Sequence, residues 1–430
     1  MTTATDQTTL SEPRAFEWWM TSNFALGVSF SAFVSLLIPP FVNEVTGEAS
    51  ASGVVMAIIS LGAILGPAFG SFADRYRAHR LVMVGGVAGM SLAFVAYGLS
   101  AEIPELYVLD AVLMGLSIAA VSAASPVFIV GAGLSKEMEA KQMTIFQLMM
   151  PAGQLAGGVL LAALTSWTFA QRFWLGAGIA GLCFLVVFFN SAGVDRRLQS
   201  HIDATQVSDT IEIQKASLRQ VFLSMFGVFI LVLTLASIAN NGINNQISNI
   251  MPNVYGIDEK STAALISLAG LLNIVLFFPA GRWMGRSGAF GPFAAGIAAR
   301  FVGALGMGLV GLMTDSPVLL GAAFMQVLYQ SNPFARLAQS SLAVRFASFP
   351  AGAASGWVIA ASAFGSFIGS VVGGFLADEF GFNSIAWMAA GAAGAAMALV
   401  LFVLLPANKR VIDAEEPSRA DLTPEAPPSA

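Results

Sequence analysis

Twelve apolar runs of about twenty residues recur along the chain at nearly even spacing, and no other feature limits its fold so strongly. A helix needs about 20 apolar residues to cross a hydrocarbon core about 30 Å thick, so each run is long enough to span a bilayer. The first six lie at 16–42, 51–73, 81–100, 105–131, 142–165 and 172–192; the second six lie at 219–250, 261–281, 290–313, 317–338, 351–376 and 384–406. Composition agrees. Hydrophobic residues make up 56% of the 430 and charged residues 10%, against about 25% charged in a soluble domain. So little polar surface cannot cover soluble domains of this total length, and the chain reads as an all-α membrane protein of twelve transmembrane helices.

The polar remainder divides the chain. Residues 1–15 form a Thr-rich tail, and they lack the basic start and short apolar core of a signal peptide. Residues 194–220 are the one long interior polar stretch, a linker between a six-helix bundle at 16–193 and another at 221–406. The Pro-containing, charged tail at 407–430 cannot bury a core and is expected to be disordered. Short loops rich in Lys and Arg stay in the cytoplasm. Placing both termini inside gathers Arg75, Arg77, Arg80, Lys141, Arg197 and Arg286, among others, on that face, and leaves Arg172 and Lys260 outside. The expected location is therefore the inner (plasma) membrane, multi-pass, with both termini cytoplasmic.

An internal echo supports duplication. The segment SLGAILGPAFGSFADRYRAHRLVMVGG returns 211 residues later as SLAGLLNIVLFFPAGRWMGRSGAFGPFAAG, with Gly70 on Gly281, Asp74 on Gly285 and Arg75 on Arg286. A second echo, offset by 216, sets GQLAGGVLL of the fifth span against GSVVGGFLA of the eleventh. In this respect the sequence resembles the major facilitator superfamily of secondary transporters. That family's motif after the second helix, Gly-x-x-x-Asp-Arg-x-Gly-Arg-Arg, is followed in part from Gly70 through Asp74 and Arg75 to Arg80. Arg77 stands where the second Gly is expected and Ala78 where a basic residue is expected. The degenerate second copy has its counterpart in Gly281 to Arg286.

The resemblance, which covers 16–406, implies two pseudo-symmetric bundles around a mid-membrane cavity. Helices 1, 4, 7 and 10 would line it, and helices 2, 5, 8 and 11 would form the moving seam. Asp74 would then meet the N-terminus of helix 11 and hold the halves together on the cytoplasmic side; the competing reading makes Asp74 and Arg75 topogenic loop charges. The paired glycines of spans five and eleven, Gly153, Gly157 and Gly158 with Gly365, Gly369, Gly373 and Gly374, suit close backbone approach at a sliding seam or static packing within a bundle.

The seventh span carries the most unusual polar pattern. Asn240, Asn241, Asn244, Asn245, Ser248 and Asn249 recur at helical spacing and make one stripe. Amides facing lipid cost several kcal/mol each, so the stripe faces protein or water. Gly242 and Pro252 loosen the same helix. NNGIN looks somewhat like the amide-rich element of sugar porters in this helix, though with one residue fewer before the glycine. The stripe reads as a substrate surface, with a tie between helices as its alternative. Helix 10 adds Gln326, Tyr329, Gln330 and Asn332, with Arg336 a turn beyond; helix 1 adds Asn23 and helix 5 Gln147 and Gln154.

Ionisable residues inside the spans are few, and each is a candidate by default. Arg300 lies near mid-depth of the ninth span, and its favoured reading is an arginine turned inward within its own bundle. Asp110 reads equally as a proton carrier and as a carboxylate near the outer interface. Enzyme readings fare poorly. His79 and His201 fall in loops, the single cysteine, Cys183, excludes a disulfide framework and a thiolate metal site, and no carboxylate pair meets within a span. No catalytic residue, cofactor or metal is expected, and no basic stretch interleaved with aromatics suggests nucleic acid as a partner. The expected function is a secondary transporter moving a small neutral or zwitterionic polar organic solute by alternating access, working as a monomer with a coupling proton as a candidate partner. Two alternatives stand: a proton-coupled exporter of amphiphilic drugs, and a non-transporting receptor of the same fold.

Overall fold

The structure is a computed structural model that describes residues 14–100, 103, 106–206, 223–313, 318–347 and 351–408. The tail at 1–13, the second part of the linker and the tail beyond 408 lie outside the described residues. Twelve long helices follow: α1 (Trp18–Thr46), α2 (Ala49–Tyr76), α3 (His79–Ser100), α4 (Tyr107–Val130), α5 (Lys136–Ala163) and α6 (Phe169–Asn190) in the first half. The second half holds α7, in the two pieces Met225–Asn244 and Ile247–Tyr255, α8 (Glu259–Ser287), α9 (Phe290–Val310), α10 (Val318–Phe346), α11 (Ala351–Phe380) and α12 (Asn383–Asn408). Among the described residues there is no strand. Eleven of these helices are long and apolar enough to cross a membrane by length and composition. The tenth falls short because Gln326, Tyr329, Gln330, Asn332 and Arg336 interrupt its apolar run.

Local chemistry sets several helix starts. Ser135 caps α5 by accepting from the Met138 amide at 3.3 Å, with Glu137 and Glu139 in the first turn where the helix dipole favours acids. Thr168 and Gln171 form a reciprocal capping box on α6. Asp258 caps α8, and the Ser261 hydroxyl and amide hold its carboxyl below the usual carboxylate range. The linker begins as a helix, Ala192–Gln206, laid along the first half.

Glycine governs how the halves meet. Gly153 and Gly157 bring α5 onto α1 within the first half, and Gly365 and Gly369 bring α11 onto α7 within the second. The next residue in each repeat faces the other half: Gly158 lies against Ser267 of α8, and Gly374 lies against Ala49 and Gly53 of α2. The seam therefore runs along α2 with α11 and α5 with α8. A Cβ at Gly374 would come within 2.9 Å of the Ala49 carbonyl oxygen and 3.1 Å of Gly53 Cα, and backbone cannot give way. Close approach of this kind is the function of small residues where van der Waals packing must replace the hydrophobic effect.

The buried apolar residues divide unevenly. The largest cluster joins both halves, with Ile38 and Val55 from the first and Ile243, Ile250 and Ile266 from the second. Two smaller clusters each stay in one half, around Trp19, Phe128 and Leu198 in the first and around Phe229, Phe293 and Leu342 in the second. Both lie toward the face that carries the linker. The molecule is thus shut on the face of the α1–α2, α7–α8 and α11–α12 connections, and the halves are separately packed toward the opposite face. The Gly66–Tyr76 part of α2 packs on α3 and α4 of its own half rather than on α11.

Candidate functional site

A cleft lies where the shared core ends and the two separate cores begin. Helix α1 reaches it through an irregular stretch: Gly27–Val34 is wound as a π-helix, whose wider turns turn Phe30 and Ser31 to the cleft. From α7 come Asn240, Asn241 and Asn244, three amides at helical spacing. Asn240 Nδ2 donates to Asn241 Oδ1 at 3.1 Å, and the Tyr329 hydroxyl of α10 donates to Asn244 Oδ1. Gln147, Met150 and Gln154 line the cleft from α5.

Helix α10 adds Asn332 and Arg336. Arg300 stands behind Asn332, buried at 7% exposure, and spends its donors within its own half: Nε to Ser331 Oγ at 3.0 Å, Nη1 to the Ala236 carbonyl at 3.3 Å and Nη2 to Asn332 Oδ1 at 3.1 Å. This is the inward arrangement favoured from the sequence, and it fixes a cleft residue in place. Helix α8 contributes Asn273 and Phe277, which sequence reasoning missed. The signal was present, since Asn273 is the one amide in the apolar run SLAGLLNIVLFF. Its Oδ1 is buried without a partner.

Other candidates from the sequence lie elsewhere. The α7 stripe is not continuous, because the helix breaks at Asn245 and Gln246, where Gln246 adopts φ −123° and ψ 10°. From the break onward the polar side chains do not line the cleft. Asn245 Nδ2 donates to Ser370 Oγ of α11 at 2.7 Å, Asn249 Nδ2 to Gln246 Oε1 at 2.9 Å, and Ser248 Oγ to the Ser35 carbonyl at 3.0 Å. Gln326 and Gln330 donate to the Leu265 and Ala269 carbonyls of α8, and Asn23 to the Phe146 carbonyl of α5 at 2.6 Å. Four of these, Asn245, Gln326, Gln330 and Asn23, tie helices together, and Asn249 braces the break within α7. Asp110 sits inside the first half, accepting from Ser100 of α3, away from the cleft.

The shut face is held by polar contacts across the halves. Asp378, at the end of α11, accepts from the Ala49 amide at 2.7 Å and the Ser50 amide at 2.8 Å, so the N-terminus of α2 is capped by the opposite half, its own Glu48 making no side-chain cap. Gln246 exchanges hydrogen bonds with Ser52, Ser60 pairs with Ser366 at 2.8 Å, and Arg172 of α6 pairs with Glu259 of α8.

On the opposite face the motif loop belongs to one half alone. Asp74 is 72% exposed and meets His79 Nε2 at 2.8 Å, not α11. Arg77, at the left-handed φ of 51°, pairs with Asp203 of the linker helix, and Arg80 donates to Ser191 Oγ and the Phe188 carbonyl. Nearby, burial pushes the Asp195 carboxyl up. Gly70 borders open space, Arg75 lies over the Tyr76 ring, and Gly281 and Arg286 close the end of α8, exposed. A shut face, a parted face and an amide-lined cleft between them can admit a small polar molecule from one side only.

Comparison with known proteins agrees with this architecture. No curated protein matches the chain in sequence. Among solved structures, a peptide transporter POT bound to alafosfalin is similar with a TM-score of 0.71 at 14% identity, covering 91% of this chain and 94% of that one. The nucleoside transporter NupG gives 0.67 at 14% identity over 90% and 98% of the two chains. The xylose transporter XylE from E. coli, in a partially occluded inward-open conformation, gives 0.66 at 15% over 90% and 96%. At such identities the likeness is one of fold. The sequence itself matches the family description over residues 19–348, and with twelve helices in two six-helix halves the chain belongs to the Major Facilitator Superfamily.

Proposed function

We propose that the chain is a secondary transporter that carries a small polar organic solute across the membrane by alternating access, with the cleft as its binding site. The observation that carries this reading is the division of the core: one cluster shared by both halves on one face, two separate clusters toward the other, and Asn240, Asn241, Asn244 and Asn332 at the junction. Amides at that depth cost several kcal/mol each if left unpaired, so an occupant that hydrogen-bonds is favoured. Solutes named for the similar structures, a nucleoside transporter, a peptide transporter and a xylose transporter, are all small and polar. The Lys and Arg bias puts the parted face in the cytoplasm, which makes this the inward-facing state.

The exporter reading needs a proton carrier within reach of the cleft. The described lining holds no carboxylate and no histidine, and Asp110 is packed between α3 and α4. Reconstitution tests the proposal. Liposomes holding the purified protein, screened with labelled polar metabolites, should show uptake that accelerates when the same unlabelled solute is inside. Uptake that is absent for every solute, or blind to the trans side, contradicts it.

A further inference from the structure

Resting on that reading, we infer that the transported solute is an organic anion whose carboxylate is taken by Arg336, with the Asn332 amide beside it. The sequence alone suggested a neutral or zwitterionic solute because fixed charge in the cavity looked scarce. The structure turns Arg336 into the cleft wall and gives it no acid. Among the described residues its one hydrogen bond runs from Nη1 to Met150 Sδ at 3.4 Å, a weak acceptor for a group with five donors. Behind Asn332, Arg300 also lacks a carboxylate, its partners being a hydroxyl, a carbonyl and an amide oxygen. One guanidinium thus stands in the cleft wall and a second is buried behind Asn332, and the described lining contributes no Asp or Glu to offset them.

Amide orientation adds to this. A guanidinium only donates, so the oxygen of Asn332 must face Arg300, and what Asn332 offers an occupant is its NH₂. Asn241 is in the same position, its oxygen engaged by Asn240. The wall thus presents a cation and amide donors, the chemistry that suits a carboxylate, whose two oxygens a guanidinium takes side by side. An ammonium would meet no carboxylate in the described lining and two positive charges nearby. Phe30, Phe277 and Tyr329 leave room for an apolar or aromatic body on the solute.

The test uses matched pairs that differ in charge alone: benzoate and benzamide, nicotinate and nicotinamide, butyrate and butyramide, with uridine and xylose as neutral polar controls, at constant ionic strength. A ligand bound to the native state raises its melting temperature by mass action. At least one carboxylate should raise the melting temperature of the purified protein, and its amide should not. Arg336→Gln should weaken that carboxylate tenfold or more. Asn332→Asp, which leaves Arg300 a partner but sets a negative charge in the wall, should weaken it likewise, and it keeps the question open to decision if Arg336→Gln fails to fold. The inference is overturned if no carboxylate binds, if an amide binds as well as its acid, or if both variants bind the carboxylate like the wild type. Trans-stimulated uptake of uridine or xylose without any carboxylate binding would overturn the anion and leave the transporter standing. A carboxylate that binds through Arg336 but never exchanges across liposomes would count against the transporter and not against the anion site.

Discussion

At the scale of residues, amides five positions or fewer apart on α7 do different work. Asn241 borders the cleft, whereas Asn245 donates to Ser370 inside the second half. Asn241→Ala should lower solute affinity by the loss of one buried hydrogen bond, about 1–2 kcal/mol or roughly five- to thirty-fold, with little change in melting temperature. Asn245→Ala should do the reverse, leaving Ser370 short of a partner and costing about 1–3 kcal/mol of stability with affinity kept. Paired binding and melting curves on the two variants check this, and equal effects on affinity would erase the distinction. The sequence shows that these residues cannot face lipid, because the cost of a bare amide there is large. It does not show which neighbour each one meets. Asn273 escaped notice because a single amide makes no periodic pattern, and Arg336 was placed a turn beyond the cavity because depth along a helix does not tell which way a long side chain turns.

Among elements, helix number and extent were legible because a bilayer sets helix length, and the observed spans begin and end within a few residues of the apolar runs in most cases. Charged ends were the exception. Helix α5 starts at Lys136, six residues before its apolar run, because Ser135 caps it and its acidic first turn can sit in water. The break in α7 and the π-wound stretch of α1 were not legible, since neither leaves a periodic pattern in the residues. Nor was the cap on α2, which comes from 329 residues away in sequence, Asp378 to Ala49. A helix cap and its charge contribute about 1 kcal/mol. Asp378→Asn should therefore loosen the shut face and move the equilibrium toward its open form by roughly fivefold. With Ser52→Cys as reporter, buried at that face in a Cys183→Ser background, labelling by a hydrophilic maleimide should quicken by about that factor. Unchanged labelling would mean that the cap is replaced by water without cost.

For the whole molecule, duplication was visible as two echoes, and the structure gives them physical content: Gly158 and Gly374 occupy matching seam positions, while Asp74 and Asp378 sit at opposite ends of the α2–α11 seam. Asp378 is engaged by the opposite half, whereas Asp74, 72% exposed, meets only His79 of its own half. The sequence offers Asp74 as a candidate latch by motif and is silent on Asp378. Membrane orientation follows from loop charge alone: Thr46→Cys should react with an impermeant thiol reagent in intact cells and Ser200→Cys should not, and the reverse pattern would invert the assignment. The central claim is that one face opens only as the other shuts. Spin-label pairs across the halves test it most directly, Val45→Cys with Phe380→Cys on the shut face and Tyr76→Cys with Ile359→Cys on the parted face, all at exposed positions. Distances measured with and without Asp378→Asn should change reciprocally, the first pair lengthening as the second shortens. Both pairs lengthening together, or the first moving while the second stays fixed, would contradict alternating access in this protein.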